Sequence, residues 1–169
     1  MAKKIIWAMV FIISAALLQS TVLSRLSVYV RAIPDIALCI LVYTAYVNGT
    51  MTGQLTGFFS GVLLDFFSAA PLGLNAFIRT LIGGSTGFMQ GTFYLDPFFL
   101  PMALCAGATI LKALLYYILH LIFAGVTPSY AFLDITFWIE LGMNTFLAPF
   151  LFALLRLFQP LLAGQRENP

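Results

Sequence analysis

Charge is what this 169-residue sequence most lacks. Eight Lys and Arg and six Asp and Glu make up 8% of the chain, where a soluble domain carries roughly 25%. So few charges cannot cover a water-facing surface on a chain that is 62% hydrophobic, with a mean hydropathy of +1.01. An independently soluble enzyme, a disordered tail and a nucleic-acid binder are thereby excluded. The composition predicts an all-α integral membrane protein. A net charge of +2 is too small and too scattered to imply anionic partners. Cysteine is almost as scarce. Cys39 and Cys105 lie far apart in apolar runs, without His, Asp or a second Cys at ligand spacing. Two distant thiols make neither a disulfide framework nor a metal site, so both read as small buried apolar residues. There is one histidine, His120, near a helix end, where an interfacial role suffices. Gly83-Gly84-Ser85-Thr86-Gly87 lacks the Lys of a phosphate loop and falls in a helix. A serine nucleophile needs a His base, and the nearest candidate, Ser60-Gly61, belongs to a glycine stripe. No catalytic set emerges, and nothing implies a cofactor or metal.

What is abundant is apolar sequence in span-sized pieces. A crossing helix needs about 20 mostly apolar residues. Six segments qualify or come near: 5–23, 34–48, 52–70, 74–91, 98–124 and 133–158. They predict one transmembrane domain over residues 1–169, a bundle of about six transmembrane helices with short loops. Lys3 and Lys4 precede the first segment, and no small-residue cleavage site follows it, so it reads as an uncleaved anchor. The second segment is short for a full crossing, whereas the last two are long enough to cross with tilt. Asp35 after Pro34, Asp96 before Pro97, and Asp134 sit where helices begin. There a carboxylate satisfies free N–H groups and Pro is tolerated, so capping accounts for all three. With six spans, Lys3, Lys4, Arg156 and Arg166 share one side, and Arg25 and Arg31 the other. The positive-inside tendency then puts both termini in the cytoplasm. Asn48-Gly49-Thr50 matches a glycosylation sequon, but its cytoplasmic location removes its meaning.

The third and fourth segments carry the most regular pattern. Gly49, Gly53, Gly57 and Gly61 precede Asp65 at intervals of four, answered by Gly83, Gly87 and Gly91. Small residues at this spacing leave a groove in which another helix backbone approaches closely, either within the bundle or from a partner. Between these segments Asp65 lies six residues before Pro71, and Arg79 six after Gly73. Each is thus about 9 Å along its helix from the turn. An unpaired charge at that depth is expensive, so an Asp65–Arg79 ion pair is predicted. A second polar layer comprises Lys112, His120, Glu140 and Asn144. By the same counting Lys112 and Asn144 lie about 17 Å deep and Glu140 about 10 Å. Glu140 and Asn144 share one helical face, and the flexible Lys112 stem can reach them. Asp65 and Glu140 would then balance Arg79 and Lys112. Such balance suits a scaffold, while intramembrane ionisable groups also keep a ligand or transport role open.

Pro34-Asp35, the run from Gly57 through Asp65, and Pro71-Leu72-Gly73-Leu74-Asn75-Ala76 resemble the rod shape-determining protein MreD family. The resemblance rests on residues 33–91; the first span and the last two match only as apolar helices. It implies a non-enzymatic bacterial inner-membrane component of lateral cell-wall synthesis, working beside MreC, MreB, RodA and a transpeptidase. Pro34, Asp35, Asp65, Pro71, Leu72, Gly73, Leu74 and Asn75 are the residues that carry it. A distant kinship with the substrate-binding subunits of energy-coupling-factor vitamin transporters supplies the alternative function. Those subunits carry an A-x-x-x-A stripe in the first helix, which here is broken at Ala8, Ile12, Ala16 and at Ala15, Gln19.

The orientation has a direct check. A reporter fused after Arg166 should be active only on the cytoplasmic side. A periplasmic C-terminus would leave an odd number of crossings and remove the second segment from the list.

Overall fold

A computed structural model describes residues 2–19, 32–68, 71–91, 98–123 and 134–162, and among them every regular element is a helix. Six are long: α1 (Ala2–Leu18), α2 (Ile36–Asn48), α3 (Thr50–Phe67), α4 (Leu74–Phe88), α5 (Phe99–Ile122) and α6 (Ile135–Leu157). A single further turn, α7 (Gln159–Leu162), follows α6. Two of the three expected acidic caps are in place. The Asp35 side chain accepts from the Leu38 N–H, and Asp134 accepts from the Thr136 N–H. Asp96 lies outside the described residues, as do Arg25, Arg31 and Arg166. Gly49, at φ 87, is the only residue between α2 and α3, and its positive φ turns the chain without a linker.

The short second segment proves to be the centre of the molecule. Its sequence, IALCILVYTAYVN, is apolar on every side, and a helix of that kind is buried all round. Ala37 through Ala45 are buried without interruption. Helix α2 packs against α1, α3, α4, α5 and α6, which follow one another around it. The α7 turn bridges α6 and α1, and the Asn48 amide clips it to α2 by donating to the Leu162 carbonyl. At thirteen residues, α2 is only about 20 Å long.

The α3–α4 pair is built backbone to backbone. A Cβ added at Gly53 would run into the carbonyl of Gly83, and one at Gly83 into that of Gly53. At Gly57 it would strike the Arg79 carbonyl, at Gly61 the backbone of Ala76, and at Gly87 that of Gly49 and Thr50. The expected groove therefore exists and is filled by the neighbouring helix of the same chain. Gly91 does not belong to it. With φ 73 and open space around its Cα, it is a turn residue beyond α4.

Helices α5 and α6 are long and apolar enough to cross a membrane. Only 33% and 28% of their most apolar windows are buried, unlike the core helix of a soluble protein. Ile110, Leu114, Ile118 and Leu121 on α5, and Trp138, Phe146, Phe150 and Leu154 on α6, face outward.

Two substitutions test this packing. Gly57→Leu forces backbones apart and should cost more than the ~1–3 kcal/mol typical of overpacking, seen as loss of the folded species in detergent. Gly107→Leu, where an added Cβ meets nothing within 4 Å, should melt within a few degrees of the parent. Equal melting of both variants would put the glycine stripe outside the packing.

Candidate functional site

The interior holds one connected set of charges at the N-terminus of α2. Pro34 has no N–H and is followed by Asp35, whose carboxylate must point back to cap the helix. That carboxylate then becomes the common acceptor. Arg79 Nη2 donates to Oδ1 and Oδ2 at 2.8 and 2.9 Å. Lys112 Nζ reaches Oδ2 at 2.9 Å and Glu140 Oε1 at 2.7 Å. The Asp35 backbone N–H donates to Asn144 Oδ1 at 2.8 Å, and Asn144 Nδ2 donates to Thr109 Oγ1 at 3.0 Å. Arg79 is 5% exposed and Asp35 12%, so the pair is largely dry. Two acids and two bases sum to zero, which is what a low-dielectric interior demands. Arg79 Nη1 is buried without an acceptor among the described residues.

The expected Asp65–Arg79 pair is not formed. Arg79 binds Asp35 on α2, and Asp65 binds no cation among the described residues. Instead the Asp65 oxygens accept from the backbone N–H groups of Gly73, Asn75 and Ala76 at 2.9, 3.0 and 3.2 Å. They also take the Asn75 side-chain amide at 3.0 Å. The last residue of the glycine stripe thus caps the next helix across the hairpin, at its positive dipole end. This accounts for Pro71-Leu72-Gly73-Leu74-Asn75. Gly73, at φ 95, turns the chain so that successive N–H groups converge on one carboxylate. Asn75 Oδ1 in turn accepts from the Tyr116 hydroxyl at 2.6 Å. Asn75 and Arg79 are one turn apart on α4, as are Lys112 and Tyr116 on α5. The two polar groups are therefore successive rungs between antiparallel helices.

The Lys112–Glu140 pair and the nearness of Asn144 agree with the sequence reading. His120 takes no part in the hydrogen bonds just described. Asp35 as the hub, Thr109 and Tyr116 were missed. For Asp35 the signal was its place beside Pro34, which capping alone seemed to explain. The two cysteines, distant in sequence, are both buried in the core, on α2 and α5, and both are free. Among the described residues no group of three or more His, Cys, Asp and Glu could hold a metal.

The fold and its interior define a small, mostly apolar helical bundle closed around its own ion network. The chain belongs to the rod shape-determining protein MreD family, whose model matches residues 1–158. The match therefore takes in α1, α5 and α6 as well as the motif-bearing middle. No curated protein and no solved structure matches the chain. Membership gives the protein a role in rod shape determination within the shape-determining machinery, in a family of membrane proteins that is not a known enzyme family.

The two charge arrangements separate in a mutant cycle. Arg79→Gln strands part of Asp35, and breaking a buried pair this way costs about 3–5 kcal/mol. Adding Asp35→Asn to it should recover part of that loss. Asp65→Asn shares no partner with Arg79, so the two changes should add to within about 0.5 kcal/mol. Strong coupling of Asp65 to Arg79 in thermal melts would contradict the geometry.

Proposed function

We propose that the protein is a non-enzymatic, multi-pass scaffold of the cell-wall elongation machinery in the bacterial inner membrane, with both termini cytoplasmic. The observation that carries this reading is an interior occupied by its own side chains. Asp35, Arg79, Lys112, Glu140 and Asn144 answer one another across α2, α4, α5 and α6. An outward surface of Phe, Leu and Ile on α3 to α6 supports placement in lipid. Helices 5–23, 34–48, 52–70, 74–91, 98–124 and 133–158 are taken as six spans of one domain, with α2 sheathed by the others. The glycine contacts set the α3–α4 hairpin, and the Asp65 cap sets its outer turn. A rigid bundle of this kind acts by presenting faces to other membrane proteins. The first partner is an MreC-type single-span protein, with MreB, RodA and a transpeptidase in the same assembly.

The substrate-subunit reading makes opposite forecasts. The scaffold should co-purify with an MreC-type protein, and depletion should give round or swollen cells with normal vitamin uptake. A stoichiometric vitamin in mass spectra of the purified protein, with unaltered rods on depletion, would overturn it.

A further inference from the structure

The bundle is not fastened equally all the way round. Helices α3 and α4 meet backbone to backbone at Gly53, Gly57 and Gly61. Helices α5 and α6 are bonded through Lys112 with Glu140 and Thr109 with Asn144, and α4 and α5 through Asn75 with Tyr116. Helix α1 is seated differently. Towards α3 it leaves an open cleft, lined by Ile13 and Ala16 on one side and Ser60, Leu63 and Phe67 on the other. Towards α6 it has no packed face of its own among the described residues. Its buried side is Ala8, Ile12 and Ala15. Two of those three are alanines, so little apolar area is lost if the helix lifts.

What joins α1 to α6 is the chain that follows α6. Phe158 sets its ring 5.2 Å from that of Phe11, and the α7 turn packs against both helices. Leu162, the last residue of α7, is fully buried and belongs to the core. Its carbonyl accepts the Asn48 amide at 2.8 Å. A four-residue turn seated by one core side chain and one side-chain hydrogen bond is a small fastening. Asn48 Oδ1 weakens it further. It is buried without a donor among the described residues, and that cost is recovered when the turn lifts and water reaches it. The outer end of α1 is tied to a firmer point. There the Gln19 amide donates to the Pro34 carbonyl, next to the carboxylate that Arg79 and Lys112 hold.

We infer that α7 is a strap and α1 a hinged helix. When the strap lifts, α1 swings away from α6 about its outer end, and the inner half of the bundle opens between them. The glycine seam and the ion network lie elsewhere, so the other helices keep their places. The device is a property of the fold, and it stands or falls apart from the scaffold reading.

Double electron–electron resonance on the full-length protein in detergent, with Cys39→Ala and Cys105→Ala, reads the motion. Spin labels at Ile6→Cys on α1 and Leu154→Cys on α6, both exposed, span the strapped edge. Leu162→Ala removes the seated side chain, and Asn48→Ala replaces it if that variant does not fold. A distance longer by about 5 Å, half a helix diameter, should rise from under about a tenth of the molecules in the parent to about half in the variant. Labels at Ile110→Cys and Leu154→Cys, across the bonded α5–α6 pair, should keep one distance. Labels at Leu17→Cys and Phe146→Cys, towards the hinge, should move much less than those at Ile6→Cys and Leu154→Cys. If the cysteine-free parent does not fold, acrylamide quenching of Trp7, the sole tryptophan left by Trp138→Phe, reads the same release and should rise in Leu162→Ala. An unchanged Ile6–Leu154 distance, or unchanged Trp7 quenching, overturns the inference. Equal lengthening across α5–α6 also overturns it, because α7 then steadies the whole bundle. So does equal lengthening at Leu17, because α1 then leaves as a whole and has no hinge.

Discussion

One carboxylate in a dry interior governs the arrangement of this molecule. Asp35 begins α2, so its side chain is already committed to the first turn by the Leu38 N–H. Burial then makes a bare negative charge intolerable, and cations must come to it. They come from two helices, Arg79 on α4 and Lys112 on α5. The backbone N–H of the same residue takes Asn144 on α6. Next to it, the Pro34 carbonyl accepts the Gln19 amide from the end of α1. Five helices are thus oriented about a two-residue step. Lys112 brings a second positive charge, which Glu140 offsets, and the set closes as neutral.

The glycine contacts solve a different problem. Between helices in lipid there is little hydrophobic attraction, so close packing has to supply the adhesion. The α3–α4 pair achieves this by removing side chains from the shared face, and on α3 Phe58, Phe59, Phe66 and Phe67 turn outward. Phe58 and Phe59 pack edge to face there, with ring centroids 5.6 Å apart. A backbone-to-backbone seam also fixes depth. It brings the Asp65 oxygens level with the first N–H groups of α4, so the cap follows from the seam.

Much of this was legible in the sequence. The period-four glycines announced a close helix contact because nothing else explains Gly at that interval in an apolar run. Lys112 and Glu140 could be paired because each charge needed a partner and the flexible Lys112 stem spans the difference in their depths. The Asp65–Arg79 reading failed for a physical reason. Depth along a hairpin says which residues are level, not which way they point or which neighbour competes. Three convergent backbone N–H groups claimed Asp65, and the long guanidinium stem carried Arg79 towards α2. That Cys39 on α2 and Cys105 on α5 share one core was invisible, since no local pattern encodes which helix lies against which. The central place of α2 was half visible. Its lack of any polar face marked it as buried on all sides, but its brevity made it look like a marginal span.

The polar network also explains why the helices poorest in motif belong to the fold as fully as the richest. Residues 33–91 contain the recognisable signatures, and by themselves they place Asp35 against Arg79. They leave that pair without the second cation on Asp35 and without Asn144 on its backbone N–H. Lys112, Thr109, Tyr116, Glu140 and Asn144 all lie on α5 and α6, in stretches that carry none of the family's recognisable motifs. The family match runs across them to residue 158. A few polar side chains at the right depth suffice there, because in a dry bundle each one answers a charge already committed elsewhere. The rest of α5 and α6 has only to be apolar and long.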